Sequence, residues 1–299
     1  MHIHRAFKNE RLLKALTGLS QTEFNDLLSV FKHCLIEDSK QRSKATQRSF
    51  GGGAKGRLRD AESKLFFILL YTKTYPTFDF LSFIVGFDKS RAVRNTHMFL
   101  STLEKSLGRK IVMPKRQIRS MEEFLKKFPE AKDLFVDATE RRVQRPKGQK
   151  RQRKLYSGKK KTHTKKTVIM TDENKRILLA TQTKSGRRHD KRLADKTSLF
   201  EHIPEAVTLR CDTGFQGIQK QRLNTMIPKK AKRGSPLSGE DKQENKVIAG
   251  LRVIVEHAIG GIKRFKAFSD IFRNKKAFLE DRLLLVACGL WNLHLVHAA

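Results

Sequence analysis

The apolar residues of this 299-residue chain change their period near Pro114, and that change constrains the fold more than any other feature. Before it the spacing is helical. Leu12, Leu13, Leu16 and Leu19, then Phe24, Leu27, Leu28 and Phe31, recur every three or four residues. They predict two short helices within residues 10–36, the second capped by Ser20 or Thr22. Residues 38–59 are polar, basic and interrupted by Gly51, Gly52 and Gly53, so they read as a linker or a strand-tracking loop. Further helices are expected over residues 61–75, 77–85 and 89–107, with a turn at Gly86 and Phe87 between the last two. Beyond Pro114, residues 134–140, 162–173, 176–184 and 206–212 are β-branched or aromatic runs bounded by turn residues, which predicts four strands. A short strand at 226–230 and helices over 190–200, 241–265 and 279–295 complete the reading. Hairpin strands followed by alternating strand and helix imply an α/β class, a mixed sheet flanked by helices and preceded by an all-α region. The expected divisions are 1–58 (helices and basic linker), 59–113 (helix-turn-helix) and 130–299 (the sheet domain).

Charge narrows the partners. The chain carries 64 Lys plus Arg against 30 Asp plus Glu, a net +34. Each cation set on a phosphate releases condensed counterions, so nucleic acid is the default partner. No run of 18 apolar residues exists to cross a membrane, and the N-terminus has no apolar signal region, so a soluble intracellular protein is expected. Cys34, Cys211 and Cys288 are scattered and unpaired in pattern, which argues for core thiols over disulfides or a zinc site.

Two basic regions stand out. Lys89, Ser90, Arg91, Arg94 and Asn95 open the second helix of the helix-turn-helix, where base edges are read in the major groove, although an ordinary helical hairpin with a solvated basic face has the same pattern. Residues 141–166 hold 13 Lys or Arg and no acid. Such a block repels itself unless a polyanion neutralises it, so it is expected to be a β-hairpin or loop gripping a phosphate backbone, with Arg145, Lys150, Arg151, Lys159, Lys160 and Lys161 as contacts.

In so basic a chain, acids beside apolar runs are candidates for metal chemistry. Asp137 follows the run LFV, Asp212 follows VTLRC and precedes Thr213 and Gly214, and Glu256 lies within a helical segment. Mg²⁺ takes hard oxygen ligands, and two ions about 3.5–4 Å apart can activate a nucleophile and stabilise a leaving oxygen in phosphodiester chemistry. Two Asp and one Glu suffice if their oxygens converge within roughly 8 Å. On the helix expected over 241–265, Leu251, Val255, Ala258, Ile262 and Phe265 form a core stripe. Arg252, Glu256 and Lys263 form a second stripe beside it, a pattern that by itself most often marks a solvated ion-pair ladder.

The set VDATE, RRHD, LRCDTGFQG and Arg252-x3-Glu256-x6-Lys263 resembles the DDE transposases of bacterial insertion sequences, closest to the IS-five superfamily and the related DDE superfamily endonucleases with an N-terminal helix-turn-helix. The resemblance runs from about residue 60 to the end. It implies a ribonuclease-H-like domain with Asp137, Asp212 and Glu256 as the catalytic, metal-binding triad, holding two Mg²⁺ ions, or Mn²⁺ in their place. It further implies Arg252 and Lys263 on DNA phosphates, double-stranded DNA as partner (transposon ends and target), a homodimer on that DNA, and a place in the prokaryotic cytoplasm with the nucleoid. The implied reaction is hydrolytic cleavage at terminal inverted repeats followed by strand transfer. His189 and Asp190 resemble a His-Asp pair of related endonucleases, with a helix-capping Asp190 as the alternative. A DNA-binding protein derived from a transposase would share the basic surfaces without cutting, and charge alone also permits a general RNA-associated protein.

Overall fold

In the computed structural model, residues 3–46, 56–231, 234 and 236–298 are described, so Gly51, Gly52 and Gly53 of the expected linker lie outside them. The chain divides into two compact units. The first comprises residues 1–113, 263–270 and 282–299, and the second residues 114–262 and 271–281.

Capping residues punctuate the first unit. Short helices α1 (Ile3–Phe7) and α2 (Glu10–Thr17) precede α3 (Gln21–Thr46). Ser20 and Glu23 form a reciprocal capping box at the start of α3: the Glu23 amide donates to Ser20 Oγ at 3.3 Å and the Ser20 amide to Glu23 Oε2 at 2.7 Å. The expected end near residue 36 is corrected, because α3 runs ten residues further through a polar stretch that resembled a linker. Its polar side chains find partners on α6 (Lys89–Arg109), where Thr102 donates to Asp38 at 2.7 Å, Lys105 pairs with Asp38 and Arg109 with Glu37. Between them α4 (Ala61–Thr74), capped by Asp60, buries the continuous run from Leu65 to Thr72. Then α5 (Phe78–Val85) is capped by Thr77 and closed by Gly86 at φ 77°, and Asp88 caps α6, so the helix, Gly turn and helix stand where the pattern expects them. The C-terminal part of α12 (Leu279–Ala298) also belongs to this unit, not to the sheet domain expected over 130–299. Its anchors are side chains: Asn292 donates to the Val112 carbonyl, Arg282 pairs with Glu104, and His294 and His297 meet Glu23 and Asp26.

In the second unit β1 (Asp133–Arg142) pairs antiparallel with β3 (Thr162–Thr171) and parallel with β6 (Thr208–Cys211), and β6 pairs parallel with β7 (Thr225–Met226). The order is β2 (Tyr156–Ser157), β3, β1, β6, β7, with β4 (Ile177–Ala180) and β5 (Lys184–Ser185) also pairing with β3. This is the ribonuclease-H-like arrangement that the resemblance implies. Leu134, Val136, Val168, Met170, Leu209 and Cys211 point from the sheet into a core that Leu193, Leu199 and Phe215 cover. Several expected bounds shrink. The strand over 176–184 divides into β4 and β5, the one at 226–230 reduces to β7, and α9 (Asp190–Lys196) stops short of residue 200, with Ser198 at φ 47° just beyond it. Also present are α7 (Met121–Lys127), α10 (Gly239–Lys263) and α11 (Lys266–Ser269). All three cysteines are buried and free.

Candidate active site

The parallel register of β1 and β6 brings two of the three acids together. Val136 is paired with Cys211, so Asp137, which continues β1, and Asp212, which follows the end of β6, come next to each other just past the last paired position. Adjacent strands stand about 4.8 Å apart, which is the scale on which two carboxylates can share a cation. Asp137 Oδ1 accepts from the Ala138 amide at 2.7 Å, and Asp212 Oδ1 from the Thr213 amide at 2.6 Å. The second contact caps a 3₁₀ turn over Thr213–Phe215. Burial pushes the Asp137 carboxyl above the ordinary carboxylate range; the Ala138 amide and Arg252 pull against that shift, while Asp212 and Asp190 add to it. Burial likewise raises the neighbouring Cys211 thiol, which stays protonated and inert.

The third acid comes from α10, whose buried Val255, Ala258 and Ile262 match the expected core stripe. Arg252, on the adjacent stripe, turns inward. Its Nη1 lies 3.4 Å from Asp212 Oδ1 and its Nη2 3.6 Å from Glu256 Oε1. The side chain of Arg252 is only 17% exposed, against 56% for Glu256, so Arg252 is drawn inward to Asp212 while Glu256 remains in solvent. One guanidinium thus connects the acid of a strand end to the acid of a helix. Lys263 is exposed, is the last residue of α10 and belongs to the first unit.

A fourth acid joins the set. Asp190, the first residue of α9, pairs through Oδ1 with Lys166 Nζ at 2.7 Å, and the same ammonium lies 3.4 Å from Glu140 and donates to the Arg188 carbonyl at 2.9 Å. Asp190 also lies against the turn that carries Asp212: a Cβ on Gly214 would stand 2.4 Å from Asp190 Oδ2, so any side chain there would have to displace that carboxylate. Three residues on, Gly217 takes φ 98° against the Lys191 stem. The helix-cap alternative for Asp190 therefore misses its main contacts. The signal that could have found them is the pair of glycines in DTGFQG, which demands that some other segment approach that turn closely. Among the described residues, no group of three His, Cys, Asp or Glu side chains is disposed to hold a metal ion as it stands.

The basic residues lie where DNA could reach them. Lys89, Ser90, Arg91 and Arg94 are exposed and Asn95 is half-buried in the first two turns of α6, where Ala92 and Thr96 are buried. Arg145, Lys150, Arg151, Lys159, Lys160 and Lys161 are all exposed. The segment is neither plain hairpin nor loop: it holds a helix, α8 (Gln149–Leu155), with no buried residue, and then β2. Arg145 donates to Gln152, whose amide reaches the Pro146 carbonyl at 2.8 Å, and these contacts tether the helix to its own approach. The ends of the block behave differently from its middle. Arg141 is buried with its guanidinium 4.6 Å from the centre of the Phe272 ring, Lys165 pairs with Glu280, and Lys166 is buried between Glu140 and Asp190.

Comparison with known proteins agrees with the family that the sequence resembles. A family described as DDE superfamily endonuclease matches residues 136–292. A protein of Microchaete diplosiphon, described as "Probable transposase for insertion sequence element IS702", is 30% identical over 286 residues, covering 95% of this chain and 95% of its own length. No solved structure gives a significant match.

Proposed function

The chain belongs to the DDE superfamily endonucleases, with the transposases of insertion sequences, and from that premise we propose that it is an active, divalent-metal-dependent transposase. On this reading it binds the terminal inverted repeats of its element, cleaves DNA there and joins the freed 3′-hydroxyl to target DNA. The observation that supports the proposal is Arg252, whose guanidinium lies 3.4 Å from Asp212 and 3.6 Å from Glu256, beside the register that sets Asp137 next to Asp212.

The donor set suits a hard cation. Carboxylate oxygens are the ligands Mg²⁺ and Mn²⁺ prefer, and among the described residues Oδ2 of Asp137 and of Asp212 accepts no hydrogen bond. That a guanidinium is already drawn between two of the acids indicates that positive charge is stabilised there. Asp137, Asp212 and Glu256 would hold the metal, two ions in the fullest form, and bound metal would supply activation of the attacking oxygen and stabilisation of the leaving one. The chain's own residues do the rest. Asp190 and Lys166 hold the Asp212 turn, the exposed face of α6 reads the element's end, and the cations of residues 145–161, with Lys263, hold phosphates. Two such chains would bring two ends together. Among the described residues no helix is long and apolar enough to cross a membrane.

The deciding experiment is cleavage of a supercoiled plasmid that carries this gene with its native flanks, in Mg²⁺ and in EDTA, by the protein and by Asp212→Ala. Breaks that map to the flanks, need Mg²⁺ and vanish in the variant are the expected result. Binding without breaks under every condition would instead mark a DNA-binding derivative that has lost its chemistry.

A further inference from the structure

Arg252 stands where a cation would be drawn. Its guanidinium is shared between Asp212 Oδ1 at 3.4 Å and Glu256 Oε1 at 3.6 Å, one nitrogen to each, and it bears on Asp137 as well. Its Nε is buried with no hydrogen-bond partner among the described residues. A settled Arg-carboxylate pair is bidentate, with contacts of about 2.7–2.9 Å. The looser sharing seen here keeps two acids close without saturating either. Without any cation, clustered carboxylates repel one another, and in a partly buried site that repulsion is weakly screened. A divalent ion satisfies the same acids with twice the charge, and a guanidinium left a few ångströms from it would then be repelled.

We propose that Arg252 is a displaceable counter-cation, which holds Asp212 and Glu256 together in the metal-free protein, competes with the divalent ion for them, and yields both when the ion binds. The released guanidinium remains beside the site, placed to meet a DNA phosphate, so metal entry and substrate contact are coupled through one side chain. The inference rests on the reading of Asp137, Asp212 and Glu256 as metal ligands.

The test is calorimetric titration of the full chain with Mn²⁺, without DNA, paired with thermal melting in EDTA and in Mn²⁺. Arg252→Gln removes the competing charge at similar size. Its Mn²⁺ affinity is expected to rise at least about tenfold, its melting temperature in EDTA to fall, and its gain on adding Mn²⁺ to exceed that of the wild type. Arg252→Lys keeps the charge but cannot span both acids, and is expected to fall between the two. Unchanged or weaker Mn²⁺ affinity in a folded Gln variant overturns the proposal, because Arg252 then only supports the acids. Should the Gln variant not fold, the Lys variant decides by the same sign: affinity above the wild type supports competition, and equal or lower affinity refutes it. Asp212→Asn separates the two levels of the argument. If it loses Mn²⁺ binding while the Arg252 variants change nothing, the counter-cation alone is wrong; if it binds Mn²⁺ as tightly as the wild type, the metal reading fails and the proposal with it.

Discussion

Two regions of the second unit handle charge in opposite ways. Around β1 and β6 the cations are largely buried and reach acids on other elements: Lys166, 9% exposed, sits between Glu140 and Asp190, and Arg252, 17% exposed, reaches Asp212 as well as the exposed Glu256 on its own helix. In the basic segment the cations from Arg145 to Lys161 are exposed, and α8 buries nothing. What a charge contributes in the first region depends on its position, since desolvated partners have no alternative. In the second, water and salt screen each charge and the total decides. Single substitutions should therefore act strongly in one and weakly, cumulatively, in the other.

The sharpest break concerns chemistry. Asp137→Asn is expected to lower single-turnover nicking in Mg²⁺ by more than the roughly 10–100-fold that loss of an outer-sphere partner costs. A rate within tenfold of wild type would move the chemistry away from β1. Next in size is stability: Lys166→Met leaves Glu140 and Asp190 buried without their shared cation, a loss of about 3–5 kcal/mol. Urea unfolding would read it as a shifted midpoint, and Lys160→Ala should stay within about 0.5 kcal/mol. Equal effects from both would erase the contrast between the regions.

Smaller effects are expected on DNA. Arg91→Ala or Arg94→Ala should reduce discrimination between the element's end and unrelated duplex by about 1–3 kcal/mol. Replacing Lys159, Lys160 and Lys161 with Ala should instead weaken both duplexes alike, and flatten the log-log salt dependence by about 0.9 for each phosphate no longer neutralised. Competition binding at several salt concentrations distinguishes them, and a triple variant that selectively loses the element's end would give the basic segment a reading role. The smallest effect is on pH. Because burial holds the Asp137 carboxyl above its ordinary 3.8, the folded state takes up that proton more readily than the unfolded one. The resulting advantage to the fold is present in acid and disappears as pH rises through the raised value. In EDTA, Asp137→Asn should accordingly be more stable than wild type at pH 7, with the gain vanishing below pH 3.8; an Asn variant less stable at pH 7 would mean that Arg252 more than offsets the burial.

The parts legible in the chain were those whose causes are local. The apolar period, the caps Asp60, Thr77 and Asp88, and the turn at Gly86 specify α4, α5 and α6 within a few residues of where they stand. Runs such as LFV and TLRC specify strands, since alternation and β-branching are properties of neighbours, although Asp137, expected where an apolar run stops, stands within β1, which continues to Arg142. The order of acids and the Arg252, Glu256, Lys263 spacing carried the family. Other features depend on residues far apart in the chain. Residues 38–46 are helical although polar, because α6 supplies partners for Asp38 and Glu37. Asp190 reads as a cap until the fold places it against Gly214, and Arg252 reads as one rung of a solvated ladder until Asp212 closes on it from a strand 40 positions earlier. Arg141 and Lys166 look like two more cations of a basic block, yet they are buried against Phe272 and between two acids. Sequence by itself determined most of the elements, the class of sheet and the family, because period, capping and residue chemistry are local. Tertiary structure alone decided which cation faces which acid, because the Coulomb energy of a charge depends on what folding brings beside it and on how much water it leaves there.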